Sequence, residues 1–288
     1  MKKILITGAN SYIGTSLEKW LGQWKESYQV TTLDMLKPEW REYNFAQYDV
    51  IFHVAGIAHA DVGKVTEEQK KLYYKVNCDL AVETALKAKM AGVCQFILMS
   101  SMIVYGGVEH VSKNTLPAPS NFYGDSKWQA DQKVRQLADS NFKIAVLRPP
   151  MIYGKGSKGN YPVLSKLAQK SPIFPGINNK RSMLYIDNLC EFVRVVIDKQ
   201  AEGVFFPQNA QLVNTSNMVK EIARVHRHKI WVSRLLSPFV VLGKCVPGKI
   251  GNLCKKAFGD SYYDLSMSSF ELQYHVANLQ DSIRKTEE

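Results

Sequence analysis

The spacing of hydrophobic positions changes repeatedly along the first 150 residues of this chain. Short apolar runs rich in β-branched residues predict buried strands, and stretches with apolar residues three and four apart predict amphipathic helices. Strands are predicted at residues 2–7, 28–33, 48–56, 95–101 and 142–147, and helices after residue 14 and at 66–90 and 121–139. This alternation predicts an α/β fold, a Rossmann-type doubly wound parallel sheet.

The regular alternation ends after residue 150. Shorter segments follow: helices at 163–169 and 188–199, an apolar run at 181–187 and a strand at 204–206. We therefore expect a dinucleotide-binding Rossmann domain at 1–150 and a smaller, mixed C-terminal substrate-binding lobe at 151–288. Residues of about 182–215 are expected to return to the Rossmann domain.

The first strand stops at a glycine turn that leads directly into a helix. Such a turn lets backbone N–H groups approach a pyrophosphate, and the helix dipole favours its negative charge. The stretch has serine where a three-glycine loop would have its middle glycine. The residues expected to bind the cofactor here are Gly8, Asn10, Ser11, Tyr12, Ile13 and Gly14.

Further cofactor contacts are predicted downstream. Asp34 ends the second strand about twenty residues past the turn, where dinucleotide folds place the acceptor for the ribose hydroxyls; this favours NAD over NADP. Ala55 and Gly56 are small enough for a ligand to lie close to the backbone. Asn77 either ties neighbouring backbone together or contacts the cofactor. His53 is expected to be a core histidine.

Composition excludes several classes of protein. The 288 residues are 45% hydrophobic and 22% charged, which is ordinary for a globular chain. Neither a signal peptide nor a membrane-spanning run is recognisable, so we expect a cytoplasmic protein. The five scattered cysteines do not have metal-knuckle spacing, so no metal is expected. The net charge of +11 suits an anionic partner, but no nucleic-acid-binding motif accompanies it, so we expect no nucleic acid.

The segment 224–256 combines eight Lys or Arg with large apolar residues and has no acid. We expect a lobe helix whose apolar face packs inward, because Pro and Gly interrupt the segment. The second interpretation is weak peripheral contact with an anionic membrane.

The candidate chemistry lies at a strand end and on the following helix. Ser100 and Ser101 end the fourth strand, at the sheet edge where ligands bind in such folds. Tyr123 and Lys127 are four residues apart, so both project from one helix face. A nearby ammonium lowers the pKa of a tyrosine and lets it exchange protons with a hydroxyl or carbonyl.

Together these stretches resemble the extended short-chain dehydrogenases/reductases of the nucleotide-sugar epimerase/dehydratase family, over roughly the first 200 residues. The matching stretches are 7–14, 49–56, Asn77, Ser-Ser-Met-Ile-Val-Tyr-Gly at 100–106, 123–127 and Leu-Arg-Pro-Pro-Met-Ile-Tyr-Gly at 147–154. The resemblance implies that the catalytic residues are Ser101, Tyr123 and Lys127, with Tyr123 the acid/base. Lys127 would lower its pKa and hold the nicotinamide ribose.

The resemblance also implies the ligands. The cofactor would be NAD, and the substrate a nucleoside-diphosphate sugar held by Ser101, Met102, Tyr153 and Arg181; for Arg181 a surface ion pair is an equal alternative. A homodimer through the helices at 66–90 and 121–139 is implied as well. Family dehydratases carry Asp-Glu directly after the catalytic hydroxyl residue, where this chain has Met-Ile, so dehydration is not expected.

The reaction implied first is 4-epimerisation of a UDP-hexose through a transient 4-keto intermediate. The alternative is an NAD(P)H-dependent 4-ketoreductase of a UDP-4-keto-6-deoxy-sugar in surface polysaccharide synthesis. A non-catalytic NAD(P)-sensing binding protein on the same fold is a further alternative.

Overall fold

The computed structural model describes residues 1–58, 65–268 and 273–288. The strands of this part are β1 (Lys2–Thr7), β2 (Tyr28–Leu33), β3 (Val50–His53), β4 (Gln95–Met99), β5 (His110–Val111), β6 (Lys143–Leu147), β7 (Met151–Tyr153), β8 (Ile173–Pro175), β9 (Met183–Tyr185), β10 (Gly203–Phe205), β11 (Trp231–Ser233) and β12 (Tyr262–Tyr263). The α-helices are α1 (Tyr12–Leu21), α2 (Glu67–Tyr74), α3 (Leu80–Met90), α4 (Phe122–Arg135), α5 (Tyr161–Lys170), α6 (Ile186–Lys199), α7 (Thr215–Val225), α8 (Ser237–Cys245), α9 (Lys249–Phe258) and α10 (Leu279–Glu287).

Six of these strands form one sheet in the order β10-β6-β4-β3-β1-β2, with every neighbouring pair parallel. The chain moves outward in one direction from β1 to β2 and in the other from β3 onward. The order therefore reverses between β1 and β3, and a crevice opens at the carboxyl ends of these two strands. The predicted Rossmann-type sheet is confirmed.

Both faces of the sheet are covered. Ile4, Phe52 and Ile97 face α1 and α6, whereas Leu5 and Phe96 face the other cluster, which contains α3 and α4. Because successive strand residues point to opposite faces, the nearly continuous apolar runs seen in the sequence fill two core layers.

The helix predicted at 66–90 is interrupted. Thr66 caps α2, a π-helical turn spans Lys75–Asp79, and α3 follows. Ala81 and Ala85 of α3 are fully buried, whereas Leu72 of α2 is exposed. The extra residue of a π-turn rotates the two helical segments relative to each other, so one regular spacing does not describe both.

In the second half, β10 pairs with β6 of the main sheet, and short parallel pairs form between β7 and β9, β8 and β11, and β5 and β12. The expectation that the apolar residues of 224–256 pack inward is wrong for Leu235, Phe239 and Leu242, which face solvent; α8 is a short surface helix. Across the described ranges, the helices all fall short of the length and apolar character needed to cross a membrane.

Candidate active site

The loop between β1 and α1 has the form of a phosphate-binding turn. Gly8 has φ +98°, and a Cβ there would lie 2.9 Å from the backbone nitrogen of Ala55. Asn10 also has positive φ, at 64°. Gly14 is packed against the turn, where a Cβ would approach Ser11 Oγ to 2.7 Å. The glycines are therefore required by close backbone approach at the β1–β3 crevice.

The structure explains why serine replaces the middle glycine. Ser11 is the N-cap of α1, and its Oγ accepts a hydrogen bond from the N–H of Gly14 at 3.1 Å. The first N–H groups of a helix have no acceptor within the helix. With Gly14 capped by the serine, the N–H groups of Tyr12 and Ile13 are the ones left for an anionic ligand.

Asp34 lies beside this turn. The carbonyl of Leu33, the last residue of β2, accepts hydrogen bonds from the N–H groups of Gly8 and Ala9 at 2.9 and 3.1 Å. Asp34 is exposed, and its Oδ1 accepts from the N–H of Leu36 at 2.9 Å. Its carboxylate is thus fixed at the edge of the crevice, where the ribose hydroxyls of a dinucleotide would lie.

Asn77 connects the end of β3 to α4. Its Oδ1 accepts from the N–H of Ile57 at 2.8 Å, and its Nδ2 donates to the Ile57 carbonyl and to Ser126 Oγ at 3.1 and 3.2 Å. Both amide hydrogens have protein acceptors. In its π-turn, Asn77 ties the backbone beyond Gly56 in place, and its contact with the cofactor stays a prediction.

Lys127 is buried at the centre of the site. Its Nζ donates to the Met99 carbonyl at 3.2 Å, and a Cβ on Gly56 would lie 3.0 Å from it. Burial lowers the pKa of Lys127 from 10.5 to about 8. The ammonium therefore lies between the ends of β3 and β4.

Ser101 and Tyr123 complete the group. Ser101 follows β4 and caps the 3-10 turn Met102–Tyr105, with its Oγ accepting from the N–H of Ile103 at 3.3 Å. Burial and the neighbouring Tyr73 raise the pKa of Tyr123 to about 12, while a hydrogen bond with Ser101 opposes the rise. Lys127 is not among the groups that shift this pKa, and its ammonium donates to the Met99 carbonyl.

His53 lies below the site, as the core residue that was predicted. Its Nδ1 is 2.8 Å from Thr7 Oγ1, and the ring is stacked on Phe96. Burial, reinforced by the charge of Lys127, lowers the pKa of His53 to about 3. The ring is therefore neutral at physiological pH and links the ends of β1 and β3.

Sequence reasoning missed a buried ionic group that supports the Ser101 loop. Arg148 donates to both carboxylate oxygens of Asp131 at 2.8 and 3.0 Å and to the hydroxyl of Tyr105 at 2.6 Å. Arg135 also donates to Asp131 at 2.8 Å. The group joins α4, the end of β6 and the 3-10 turn. Its sequence signal was the arginine directly after the β6 run.

Two of the three predicted substrate residues besides the serine lie beside Ser261. Met102 Sδ accepts a hydrogen bond from Ser261 Oγ at 3.9 Å. Arg181 donates from Nη1 to the carbonyls of Lys256 and Gly259 at 2.8 and 3.1 Å. Among the described residues, backbone carbonyls rather than a salt bridge hold the guanidinium, although burial lowers its pKa and the charge of Asp260 lies close enough to oppose that lowering. Its remaining N–H groups are available to an anion.

The structure contradicts the prediction that Tyr153 binds the substrate. The side chain is fully buried, its hydroxyl is 2.6 Å from Ser282 Oγ and accepts from Asn209 Nδ2 at 3.0 Å, and its ring stacks on Tyr161. A substrate cannot reach it without opening the core. Tyr153 ends β7, so the alternation of the strand turns it inward, away from the cleft.

The chain is similar to known proteins over most of its length. The model described as "NAD dependent epimerase/dehydratase family" matches residues 4–206. A UDP-glucose 4-epimerase of Vibrio cholerae is 32% identical over 249 residues, 77% of this chain and 75% of that protein. An N-acetyl-alpha-D-glucosaminyl-diphospho-ditrans,octacis-undecaprenol 4-epimerase of Escherichia coli O157:H7 is 26% identical over 96% of this chain and 86% of that protein. The solved UDP-glucuronic acid 4-epimerase of Bacillus cereus with NAD shares the fold, with a TM-score of 0.75 at 17% identity over 99% of this chain and 97% of that one.

Proposed function

This chain belongs to the NAD-dependent epimerase/dehydratase family, and we propose that it is a 4-epimerase acting on a UDP-hexose. It is an enzyme of the extended short-chain dehydrogenase/reductase type. The observation that carries the proposal is one continuous set of contacts, from the Gly8 turn through Gly56 and Lys127 to Ser101 and Tyr123. The name of the Vibrio cholerae relative supports the choice of reaction.

The cofactor site fits a nicotinamide dinucleotide. The N–H groups of Tyr12 and Ile13 would take the pyrophosphate and Asp34 the adenosine ribose, while Lys127 would hold the nicotinamide ribose. When bound, the cofactor supplies reversible hydride transfer at carbon 4 of the sugar. At Gly8 and Gly56 a Cβ would meet the backbone of Ala55 and the side chain of Lys127, so both positions keep the turn and the ammonium packed where the cofactor would bind.

Tyr123 and Ser101 move and hold the proton. The hydroxyl of Ser101 orients the 4-oxygen of the sugar, and Tyr123 takes the hydroxyl proton as carbon 4 is oxidised. A tyrosine with a pKa of about 12 is a poor base at neutral pH. A Lys127 ammonium turned from the Met99 carbonyl toward Tyr123 would lower this pKa and favour the phenolate. After the 4-keto sugar turns over, Tyr123 returns the proton.

The test is turnover without added cofactor. Purified protein should carry tightly held NAD, identified by mass spectrometry, and should interconvert UDP-glucose and UDP-galactose. Tyr123→Phe should retain the cofactor and lose at least about a hundredfold in kcat, the usual contribution of an acid/base residue. Net oxidation of NADH or NADPH by a 4-keto sugar nucleotide would replace the epimerase with the 4-ketoreductase alternative. Full activity of Tyr123→Phe would exclude Tyr123 as the acid/base, and NAD binding without turnover of any sugar nucleotide by wild type would favour the non-catalytic binding protein.

A second substrate is favoured by a specific observation. The Escherichia coli relative, named for a hexosamine on undecaprenyl diphosphate, aligns with 96% of this chain. The diphosphate is common to this lipid-linked sugar and to a nucleotide sugar, and Arg181 suits both. Assaying a polyprenyl diphospho-N-acetylhexosamine beside UDP-sugars distinguishes them by kcat/KM. The homodimer stays a prediction, which light scattering would test.

A further inference from the structure

The α8 surface, defined by Leu235, Phe239, Leu242 and Val246, is an exposed apolar stripe. The first three side chains are 79%, 70% and 65% exposed. Phe239 and Leu242 are three residues apart on α8 and therefore project from one side of it, while Leu235 lies in the 3-10 turn before the helix and Val246 directly after it. A run of large apolar residues this open to water marks an interaction site rather than ordinary surface.

The opposite side of α8 is packed, so the stripe does not result from a loose helix. Val240 is buried, and a Cβ on Gly243 would approach Cys254 Sγ of α9 to 2.9 Å. On α9, Gly251 lies directly against the carbonyl of Val246. The two helices thus form a close-packed hairpin that presents the α8 surface outward.

Positive charge surrounds the stripe. Between residues 224 and 256 the sequence has eight Lys or Arg and no acid, within a chain of net charge +11. Arg234 at the start of the stripe and Lys255 and Lys256 at the end of α9 are exposed. A stripe of apolar side chains bordered by cations matches the interface of a bilayer with anionic headgroups.

We propose that the α8 surface docks the enzyme on an anionic membrane. Phe239 and Leu242 enter the boundary between headgroups and acyl chains, and Arg234, Lys255 and Lys256 contact the headgroups. A second copy of the chain is the less suitable partner, because a symmetric contact would bring the same cations together with no acid from this segment between them.

The docking surface adjoins the cleft. Gly259, just after α9, accepts a hydrogen bond from Arg181, and Ser261 contacts Met102, the neighbour of catalytic Ser101. A membrane against α8 would therefore lie beside the predicted diphosphate site, where a lipid-borne sugar could enter. The docking itself depends on no step of the proposed reaction and is measured without turnover.

Vesicle flotation with the full chain tests the proposal. Wild-type protein should float at low salt with vesicles of equal parts phosphatidylcholine and phosphatidylglycerol, and bind phosphatidylcholine alone much more weakly. Leu235→Ser should raise the lipid concentration for half-binding about tenfold. Leu116→Ser is the matched control, since Leu116 is 81% exposed but lies far along the chain from the stripe; it should bind like wild type.

Two double charge reversals distinguish headgroup contact at this surface from nonspecific attraction of a basic protein to anionic vesicles. Lys255→Glu/Lys256→Glu should lower binding to the anionic vesicles about tenfold or more. The control Lys25→Glu/Lys37→Glu changes the net charge equally and should lower binding much less. Absence of wild-type binding at low salt would overturn the proposal. Equal binding of Leu235→Ser and Leu116→Ser would also overturn it, as would a Leu235→Ser variant that changes only the oligomeric state.

Discussion

Replacing Lys127 by Met removes a buried charge from the centre of the site and keeps the length of the side chain. Burial lowers the pKa of Lys127 from 10.5 to about 8, so the charged ammonium reduces the free energy of unfolding. At about 1.4 kcal/mol per pKa unit, this difference is about 3 kcal/mol at pH 7. Loss of the hydrogen bond to the Met99 carbonyl costs about 1 kcal/mol. We expect Lys127→Met to be more stable than wild type by about 2 kcal/mol and to lose turnover.

The pH dependence isolates the cause. Between pH 8 and 10.5 the unfolded chain binds more protons at residue 127 than the folded chain does. Wild-type stability therefore rises with pH in this window, and the gap to Lys127→Met should narrow by about 2 kcal/mol between pH 7 and about 9.5.

Urea unfolding of cofactor-free protein, followed by tryptophan fluorescence, measures both effects. Lys133→Met, an exposed position on the same helix, should stay within about 0.5 kcal/mol of wild type. A Lys127→Met variant less stable than wild type at pH 7, or a gap that does not change with pH, would refute the reasoning.

Three other predictions concern the crevice and its support. Gly56→Ala should weaken NAD binding at least about tenfold in calorimetry, because its Cβ would meet Lys127 Nζ at 3.0 Å; Gly107→Ala, with open space around it, should not. The free energy of unfolding should fall by about 2 kcal/mol from pH 7 to 5, because His53, with its pKa of about 3, must be neutral when folded. His53→Gln should lose this part of the acid sensitivity. If the variant's free energy of unfolding depends on pH as that of wild type does, His53 is not the source. Asp34→Ala should narrow the preference for NAD over NADP in dissociation constants, and tighter NADP binding by wild type would contradict the role given to Asp34.

The sheet was predictable because its information is local. Each parallel strand is buried on both faces, so it reads as a short apolar run, and the alternation with helices leaves few topologies. The interrupted helix at 66–90 was not predictable in the same way. Its π-turn exists because Asn77 must reach Ile57 and Ser126, which are 20 and 49 residues away.

The residues of the candidate site likewise differ in how far local sequence predicts them. Tyr123 and Lys127 are four residues apart on one helix, so the sequence alone predicted that they project from the same face. Tyr153 and Arg181 were assigned to the substrate site by resemblance alone. Tyr153 bonds to Ser282 and Asn209, and Arg181 bonds to carbonyls at the end of α9, all of them far along the chain. The inward or outward direction of a side chain at such positions depends on packing that spacing does not encode.

The sequence by itself determined the parallel sheet, the glycine turn and the placement of Tyr123 and Lys127 on one helix face, because these depend on strand periodicity, backbone freedom and helical spacing. Tertiary structure decided the electrostatics. Burial brings the pKa of Lys127 down and that of Tyr123 up, and the ammonium is directed to a carbonyl rather than to the phenol. It also decided that the apolar residues of α8 face water. Desolvation and exposure depend on neighbours far along the chain, which no local pattern records.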